Sequence, residues 1–288
     1  MFKNLNTGAI GIRNTSLAET IVLAKESGFK GIDFDIKEAA QLAAAHGTAY
    51  VRDLFAASDI LPGLWGLPVA WNQDHWRDDL AQLPSLAALG AELGCTRTAT
   101  WCPSWSDSRP YEENWAWHIE RYRAIAQVLA EHGCRLGIEF LGPKTLRTGH
   151  PYEFISTMDE MLRLAAEVGT GNVGLLLDAY HQYTGGGTPA DLDRITAADV
   201  ITVHVNDALA GVPVDELPDL DRRLPLETGV IDLAAFMRKL DAMGYDGPVT
   251  TEPFSARINA IAAENPLAAA REVSAAMDKL WQAGGIGV

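Results

Sequence analysis

The sequence has few cysteines, few basic residues for its acidic content, and no long apolar run. Its three cysteines are an odd number without a CxxC spacing, which excludes a disulfide framework and favours a reducing compartment. The 23 Lys and Arg against 38 Asp and Glu leave a formal charge of -15, and such a surface repels nucleic-acid backbones and anionic membranes. No stretch reads as a signal peptide or a membrane span, so we expect a cytoplasmic protein with neither a nucleic-acid nor a membrane partner.

Two signals alternate along the 288 residues. Short β-branched apolar runs predict strands, and longer stretches of helical periodicity, rich in Ala, Leu and Glu, follow them. The predicted strands lie near residues 8–12, 31–36, 64–70, 96–101, 135–140, 173–178, 200–206 and 248–253. The predicted helices lie near residues 16–27, 37–45, 74–93, 113–132, 152–168, 188–196, 231–243 and 265–282. Ser16 with Glu19 forms a capping-box pattern, and many helices are predicted to stop at a glycine, such as Gly28.

Eight strands that alternate with eight helices predict a parallel α/β architecture. Closure into a (β/α)8 TIM barrel, with a parallel closed sheet and outer helices, removes both sheet edges and is the predicted fold. An open doubly wound sheet is the alternative that alternation leaves open. No composition break or linker divides the chain, which predicts a single domain over residues 1–288 with a loose tail at 283–288.

Four of the later predicted strands end in a potential metal ligand. These residues are Glu139 in LGIEF, Asp178 in GLLLDAYH, His204 in TVHVND and Glu252 in VTTEPF. They follow one another at 39, 26 and 48 residues, close to the length of about 36 that each of eight units would take. The C-terminal ends of barrel strands meet at one mouth, where the active sites of such barrels lie. The spacing therefore predicts that the four side chains gather at one place.

The negative charge of the acidic residues opposes their coming together at one place. A single acidic residue at a strand end is most often a helix cap or a solvated loop residue. Three carboxylates at one place repel each other unless a cation lies among them. Carboxylate oxygens with one imidazole suit Mn²⁺, Mg²⁺ or Co²⁺, and Zn²⁺ is less favoured. We therefore predict one divalent metal ion bound by these four residues.

The chain resembles the xylose-isomerase-like barrel superfamily over its full length, and within it the tagatose/psicose 3-epimerases, hydroxypyruvate isomerases and inosose dehydratases. The segments that carry the resemblance are GFKGIDF (28–34), LGIEF, NVGLLLDAYH (172–181), VITVHVND (200–207) and YDGPVTTEPF (245–254). The resemblance implies that the four strand-end residues bind one divalent ion. It also implies that Glu139 and Glu252 are the catalytic acid/base pair and that His181 contacts the substrate.

The chain departs from the family pattern at two places. Leu226 and Thr228 stand where relatives often carry the glycines of a PGEG-type turn, which leaves a substrate contact by Glu227 open. In the second strand, GIDF, Asp33 stands where relatives usually have a glutamate, and its role is open as well.

Other residues of the predicted mouth are candidates for substrate binding. Lys144 follows the strand of Glu139, and Arg222 lies in the long loop after His204. Both could bind a phosphate or carboxylate of the substrate, or be paired with local acids. Trp101 could lie against the C–H face of a sugar, or simply pack in the fold. The predicted substrate contacts are thus His181, Lys144, Arg222 and Trp101.

The predicted function is a metal-dependent isomerase or epimerase of a small keto-sugar or related carbonyl polyol. A carboxylate removes the proton next to the carbonyl, and the resulting enediolate is reprotonated on the opposite face or on the neighbouring carbon. A keto-polyol dehydratase and a non-catalytic sugar-binding barrel remain as alternatives. The endonuclease IV branch is disfavoured, because its third and fourth strands need histidines that LWGLP and TATWC lack. Relatives often form dimers or tetramers, so a homo-oligomer stays open.

Overall fold

The computed structural model describes residues 1–287. Its strands are β1 (Phe2–Leu5), β2 (Gly31–Phe34), β3 (Leu61–Gly66), β4 (Arg97–Cys102), β5 (Trp105–Ser106), β6 (Arg135–Phe140), β7 (Tyr152–Glu153), β8 (Val173–Asp178), β9 (Val200–His204) and β10 (Pro248–Thr250). All but β5 and β7 form a closed barrel in the order β1-β2-β3-β4-β6-β8-β9-β10, and each neighbouring pair is parallel. The closed sheet confirms the predicted (β/α)8 barrel against the open-sheet alternative.

The helices surround the barrel, and local signals set several of their ends. They are α1 (Leu17–Ser27), α2 (Ile36–His46), α3 (Thr48–Ser58), α4 (Trp76–Glu92), α5 (Tyr111–Glu131), α6 (Lys144–Arg147), α7 (Met158–Val168), α8 (Ala179–Thr184), α9 (Leu233–Ala242), α10 (Ala256–Glu264) and α11 (Pro266–Gly284). Ser16 caps α1 through reciprocal hydrogen bonds with Glu19, as predicted. Gly28 ends the same helix with a φ of 83°, the left-handed conformation expected at a helix stop.

Apolar side chains fill the barrel and the layer between strands and helices. Leu64, Ala99 and Leu176 form a small buried cluster from β3, β4 and β8 inside the barrel. A larger cluster joins the outward faces of the strands to the helices. The three cysteines are free and buried. Among residues 1–287, no helix combines the length and the apolar character that crossing a membrane requires.

The strand register sets the level of the C-terminal ends. Trp101 on β4 pairs with Glu139 on β6, and Asp178 on β8 pairs with His204 on β9. Thr250 pairs with His204, so Glu252 leaves β10 just beyond the same level. Paired residues on adjacent strands lie about 4.8 Å apart and point to the same side of the sheet. The register therefore brings the strand ends to one mouth.

The first predicted strand is wrong. Within residues 8–12, Gly8–Ile10 is a 3₁₀ helix that Gly11 ends with a φ of 82°, and the first strand is β1. The segment FKNL hides this strand because Lys3 and Asn4 interrupt its apolar pattern. Both side chains have buried partners, since Lys3 Nζ donates to Ser274 Oγ at 2.9 Å and Asn4 Nδ2 donates to Thr250 Oγ1 on the neighbouring strand β10 at 3.0 Å.

Other predicted bounds also need correction. The third strand, predicted at 64–70, runs over Leu61–Gly66 instead. The helix predicted at 188–196 is two short 3₁₀ helices, Pro189–Arg194 and Ala197–Asp199, and each begins at its own capping threonine, Thr188 or Thr196. The helix predicted at 152–168 begins only at Met158, because residues 152–153 form β7.

Four helices were missed, namely α3, α10 and the short α6 and α8, and one helix extends further than predicted. α3 follows α2 directly, separated by Gly47 with a φ of 89°, so the two are easily taken as a helix and a loop. α10 lies between β10 and α11 in a segment for which no helix was predicted. α11 extends to Gly284, into the tail predicted as loose at 283–288, and Val288 lies outside the described residues.

Candidate metal centre

Four strand ends deliver the predicted ligands to one place. Glu139 lies on β6, Asp178 ends β8, His204 ends β9, and Glu252 follows β10 by two residues. One ligand atom of each residue lies within 4.8 Å of the others. The structure thus brings together all four residues that the strand-end pattern indicated.

His204 is at the centre of this group. Its Nδ1 lies 3.4 Å from Glu252 Oε2, 3.6 Å from Glu139 Oε1 and 3.8 Å from Asp178 Oδ2. Both imidazole nitrogens and Glu139 Oε1 are buried without a hydrogen-bond partner in the described chain. A buried polar atom left without a partner costs about 1–3 kcal/mol. Nitrogen and oxygen atoms that face one another in this state, with lone pairs to offer, indicate a site for a cation. Three carboxylates with one imidazole are the donor set of a hard or borderline divalent ion.

Burial and mutual charge set the protonation of these residues. Burial raises the pKa of Glu139 above its ordinary value, although the histidines nearby oppose the shift. For His204, burial alone would lower the pKa, but the carboxylates of Glu252 and Glu139 raise it well above its ordinary value. Burial also opposes ionisation of Glu252, yet His204 and Arg222 hold its pKa below the ordinary value. The pKa of Asp178 is lowered as well, against the effect of burial, by Arg222 and the histidines, so Asp178 and Glu252 offer anionic oxygens in the site, as cation binding requires.

Asn206, two residues after His204, holds two of the predicted ligands in position. Its Oδ1 accepts a hydrogen bond from the backbone N–H of Glu252 at 2.6 Å. Its Nδ2 lies 3.5 Å from Asp178 Oδ2 and donates to it. Such outer contacts fix the orientation of metal ligands. Sequence reasoning missed Asn206, because the pattern VHVND does not distinguish it from an ordinary loop residue.

Arg222 is a buried cation against the same group. Its side chain is 1% exposed, and its Nη1 donates to Asp178 Oδ2 at 2.9 Å and lies 3.7 Å from Glu252 Oε2. Its Nη2 donates to Asp219 Oδ1 at 2.8 Å. Burial opposes the charge, but the carboxylates, Asp178 first, raise the pKa of Arg222 further. The substrate contact predicted for Arg222 stays a prediction. Sequence reasoning missed Asp219, because it lies in the irregular loop LPDLDRR.

His181 lies beside this network on α8. Its Nδ1 accepts a hydrogen bond from the backbone N–H of Gly142 at 3.2 Å, so the neutral ring carries its proton on Nε2. That nitrogen lies 3.8 Å from Glu139 Oε1 and 3.7 Å from Asp219 Oδ1, beyond hydrogen-bond distance. Arg222 Nη2 also lies 3.1 Å from His181 Nε2, but because that nitrogen carries a proton, Nη2 donates its hydrogen bond to Asp219 Oδ1. The N–H next to Glu139 agrees with the predicted substrate contact, which stays a prediction.

Asp33, on β2, contributes a further carboxyl to the mouth. Asn4 Nδ2 donates to it at 2.6 Å and Asn6 Nδ2 at 3.1 Å. Asn4 also donates to Thr250 Oγ1 at 3.0 Å, which ties Asp33 to the strand that precedes Glu252. Burial raises the pKa of Asp33 to about 6, against a smaller opposing effect of His204. The residue thus keeps a position in the mouth although it is shorter than the glutamate expected there.

The raised pKa of Asp33 predicts a pH-dependent contribution to stability. In the folded protein the carboxyl holds its proton up to about pH 6, whereas an ordinary aspartate loses it near pH 3.8. The Asp33 carboxyl therefore contributes fully to the free energy of unfolding below about pH 4, and this contribution is lost as the pH rises to about 6. With a chelator present, we expect the stability of wild type relative to Asp33→Asn to fall by about 2 kcal/mol between pH 4 and pH 7, measured by urea unfolding.

The exposed Asp53 on α3 provides the control for this measurement. Asp53→Asn should follow the wild-type dependence on pH. A constant difference between wild type and Asp33→Asn across the same range would contradict the raised pKa.

The remaining predicted substrate contacts lie at the rim of the mouth. The side chain of Trp101 is 41% exposed and meets Trp71 edge to face, with ring centres 5.8 Å apart. Lys144 is exposed, and its Nζ lies 2.6 Å from Asp215 Oδ2. That ion pair is the local acid pairing anticipated as the alternative for this lysine. Both substrate contacts stay predictions.

Asp207 anchors the loop in which the family glycines are replaced. Leu226 adopts a φ of 64°, the left-handed conformation that glycine takes without strain. The carboxylate of Asp207 accepts the backbone N–H groups of Thr228 at 3.0 Å and Gly229 at 2.7 Å. Glu227 Oε2 accepts a backbone N–H of the same turn at 3.0 Å. The turn therefore keeps a glycine-like backbone, and the carboxylate of Glu227 is engaged within it.

Comparison with known proteins shows the family to which the chain belongs. The model of the xylose isomerase-like TIM barrel family matches residues 21–280. The chain belongs to the xylose isomerase-like TIM barrel family. The resemblance drawn from the strand-end segments is thereby confirmed.

Relatives and solved structures of the xylose isomerase-like barrels agree along most of the chain. An inosose isomerase of Bacillus velezensis is 24% identical over 280 residues, which cover 93% of this chain and 94% of that protein. An inosose isomerase of Halalkalibacterium halodurans is 27% identical over 150 residues, and this match covers 50% of its length. A xylose isomerase domain protein from Alicyclobacillus acidocaldarius has 28% identity and a TM-score of 0.84, with 98% of this chain and 99% of that chain covered.

One further solved structure bears on the metal. An IOLI protein with a binding zinc atom shares the fold with a TM-score of 0.76 at 20% identity, covering 99% of this chain and 98% of that chain. In this xylose isomerase-like barrel, the four gathered residues are the one group of three or more His, Cys, Asp or Glu found within residues 1–287 that could hold an ion. The relatives named as isomerases confirm the prediction that the chain is an enzyme.

Proposed function

We propose that this barrel is a divalent-metal-dependent isomerase or epimerase of a small keto-sugar or related carbonyl polyol. The proposal is carried by the buried Glu139, Asp178 and His204 with the partly buried Glu252, whose ligand atoms lie within 4.8 Å of one another. Their oxygen-rich chemistry favours Mn²⁺, Mg²⁺ or Co²⁺, and the zinc atom of the related IOLI structure keeps Zn²⁺ as a candidate. A cation held there would act as a Lewis acid on the substrate carbonyl.

The two glutamates would carry the proton. Glu139 comes from β6 and Glu252 from the end of β10, with β8 and β9 between them, so the carboxylates approach from two sides. One accepts the proton of the carbon next to the carbonyl, and the other returns a proton. Return to the opposite face of that carbon gives an epimer, and return to the neighbouring carbon exchanges aldose and ketose. Neither outcome adds or removes atoms, so no further reactant is needed.

The remaining contacts favour an unphosphorylated substrate. The Nε2–H of His181 would bond a substrate oxygen, and the exposed ring of Trp101 would lie against a C–H face of the sugar. Arg222 is already bonded to Asp178 and Asp219, and Lys144 to Asp215. A phosphate would have to compete with these carboxylates for either cation.

A keto-polyol dehydratase is the second candidate, and Asp33 is the observation that favours it. Elimination begins with the same proton removal and then needs an acid to protonate the departing β-hydroxyl. Asp33 on β2 is two strand spacings from β10, roughly 10 Å, which is within the span of an extended six-carbon polyol. Its raised pKa of about 6 keeps this carboxyl partly protonated in mildly acidic solution.

Deuterium uptake tests the proposal before the natural substrate is known. Ketoses, hydroxypyruvate and inososes are incubated with the protein and Mn²⁺ in heavy water, and mass spectrometry follows the carbon next to the carbonyl. We expect uptake with at least one class and its loss when a chelator removes the metal. A product that absorbs as a conjugated enone would assign the dehydratase instead. Absence of both uptake and product in every class would contradict the proposal.

A further inference from the structure

A cavity lies beside the candidate metal centre, at the C-terminal end of β4. Its volume is about 280 Å³, and four indole rings contribute to its lining. The residues that define this indole pocket are Trp71, Trp101, Trp105, Trp117, Asn114 and His118. Trp101 is exposed, Trp105 and Trp117 are half-buried, and Trp71 is buried against Trp101 and Trp117. Because two guanidinium groups lie over Trp117, the aromatic surface open to a ligand belongs mainly to Trp101 and Trp105.

The loop that carries Trp105 is held in place. β5 pairs with β7, with Trp105 opposite Glu153. The backbone N–H of Phe154 donates to Ser104 O at 2.7 Å, which extends the pairing. Because the loop is bonded to a second segment, the indole pocket is formed before a ligand arrives, and preformed sites lose less entropy on binding.

Two polar groups of the indole pocket have no hydrogen-bond partner in residues 1–287. Asn114 Nδ2 is a buried donor, while Asn114 Oδ1 accepts from Arg109 Nε at 3.0 Å. His118 Nδ1 lies 2.7 Å from the carbonyl oxygen of Asn114, which only accepts, so Nδ1 carries the proton and the buried Nε2 is an acceptor. Burial lowers the pKa of His118 to about 3, so the ring is neutral near pH 7. The indole pocket thus contains one unpaired donor and one unpaired acceptor, and leaving each unpaired is costly.

This chemistry matches a neutral sugar ring. A hydroxyl both donates and accepts, and the C–H face of a pyranose stacks on an indole. A cationic ligand is disfavoured, because the guanidinium groups of Arg109 and Arg121 already lie 4.1 and 3.8 Å from the ring centre of Trp117. An anion gains little from Arg109, because Asp107 lines the same pocket. The volume suits one ring, since pockets for larger ligands span about 300–1,000 Å³.

The indole pocket shares Trp101 with the mouth of the metal centre. Trp101 pairs in register with Glu139 on the adjacent strand, about 4.8 Å away. A ring in the indole pocket would therefore lie next to a sugar at the predicted ligands. We propose that the indole pocket binds a second sugar ring, so that the substrate is a ketose joined to another sugar by a glycosidic bond. This inference rests on the proposed function and specifies its substrate class.

Ketose-containing disaccharides test the inference directly. Deuterium uptake with Mn²⁺ is measured for fructose and for the glucosyl-fructoses turanose, maltulose, leucrose and isomaltulose. We expect kcat/KM for at least one linked sugar to exceed that for fructose by about ten-fold or more, because stacking and one hydrogen bond together reach that range. The ratio should fall towards one in Trp105→Leu, which alters a half-buried ring and spares the core, and in His118→Phe, which removes the acceptor.

Trp115→Phe is the matched control. Trp115 lies on α5 with His118, but its indole N–H donates to Glu167 Oε2 at 2.9 Å, away from the indole pocket. This variant should keep the wild-type ratio. A wild-type ratio near one for every linked sugar would overturn the inference. So would an equal acceleration of fructose exchange by free methyl α-glucoside, because the indole pocket would then hold a separate saccharide.

A failure of the proposed function would be distinguishable from a failure of this inference. If no sugar exchanges deuterium, the proposed chemistry fails, and calorimetry then tests the indole pocket alone. Binding of maltulose to wild type that is lost in Trp105→Leu would still support a sugar-ring site. Absence of maltulose binding to wild type would overturn it.

Discussion

Glu252→Gln is expected to slow deuterium uptake next to the substrate carbonyl by about 10³-fold or more. Glutamine has nearly the same size, but its amide cannot accept the proton, and it replaces an anionic ligand by a neutral one. Because glutamine matches glutamate in size, the substitution leaves no cavity, and the fold should persist. The Glu252 side chain is also 18% exposed, so it lies at the edge of the core. The measurement is isotope uptake by mass spectrometry at saturating Mn²⁺, with any sugar that the wild type exchanges.

Two controls make this result specific. Glu264→Gln changes an exposed glutamate on α10, shortly after Glu252 in the chain, and should exchange at the wild-type rate. Calorimetry of Mn²⁺ with Glu252→Gln separates the loss of a base from the loss of a ligand. A variant that binds the ion but does not exchange places the defect in proton transfer. Exchange at the wild-type rate would rule out Glu252 as the base.

Arg222→Met is expected to cause the largest loss of stability, about 3–5 kcal/mol in the presence of a chelator. The arginine side chain is 1% exposed and donates to both Asp178 and Asp219, so methionine would leave buried carboxylates without their cation. Methionine preserves much of the side-chain volume, which limits any cavity effect. The measurement is the free energy of unfolding in urea. Added Mn²⁺ should restore part of the loss, because it would neutralise Asp178.

Arg223→Met is the neighbouring control for this prediction. Arg223 is 29% exposed and pairs with Asp221, which is itself half exposed, and such pairs contribute at most about 1 kcal/mol. Equal losses in the two variants would show that the buried network around Arg222 does not carry the expected stabilisation.

The predicted ligands could be found from the sequence because each one ends an apolar run. In LGIEF and GLLLD the change from apolar to acidic residues marks the end of a strand, and the parallel topology brings such ends to one mouth. The same signal located β6 and β8 at their true bounds, Arg135–Phe140 and Val173–Asp178. Local pattern and global fold coincide at these strands, so the sequence was sufficient to predict them.

The features that sequence reasoning missed depend on contacts between distant segments. Lys3 makes FKNL a poor strand pattern, and its partner Asp278 lies 275 residues later. Asn206 and Asp219 bond to residues of the candidate metal centre and to Arg222 from irregular loops, where no periodicity marks them. The indole pocket combines Trp71, which follows β3, with Trp117 on α5. Only the folded chain brings these residues together.

The most direct test of the central claim is titration calorimetry of the chelator-treated protein with Mn²⁺. We expect one ion to bind per chain in wild type, and at least about 10–100-fold weaker binding in His204→Gln, because the central imidazole of the site is lost. Equal binding by wild type and this variant, or no binding by wild type, would contradict a metal centre at the ends of β6, β8, β9 and β10.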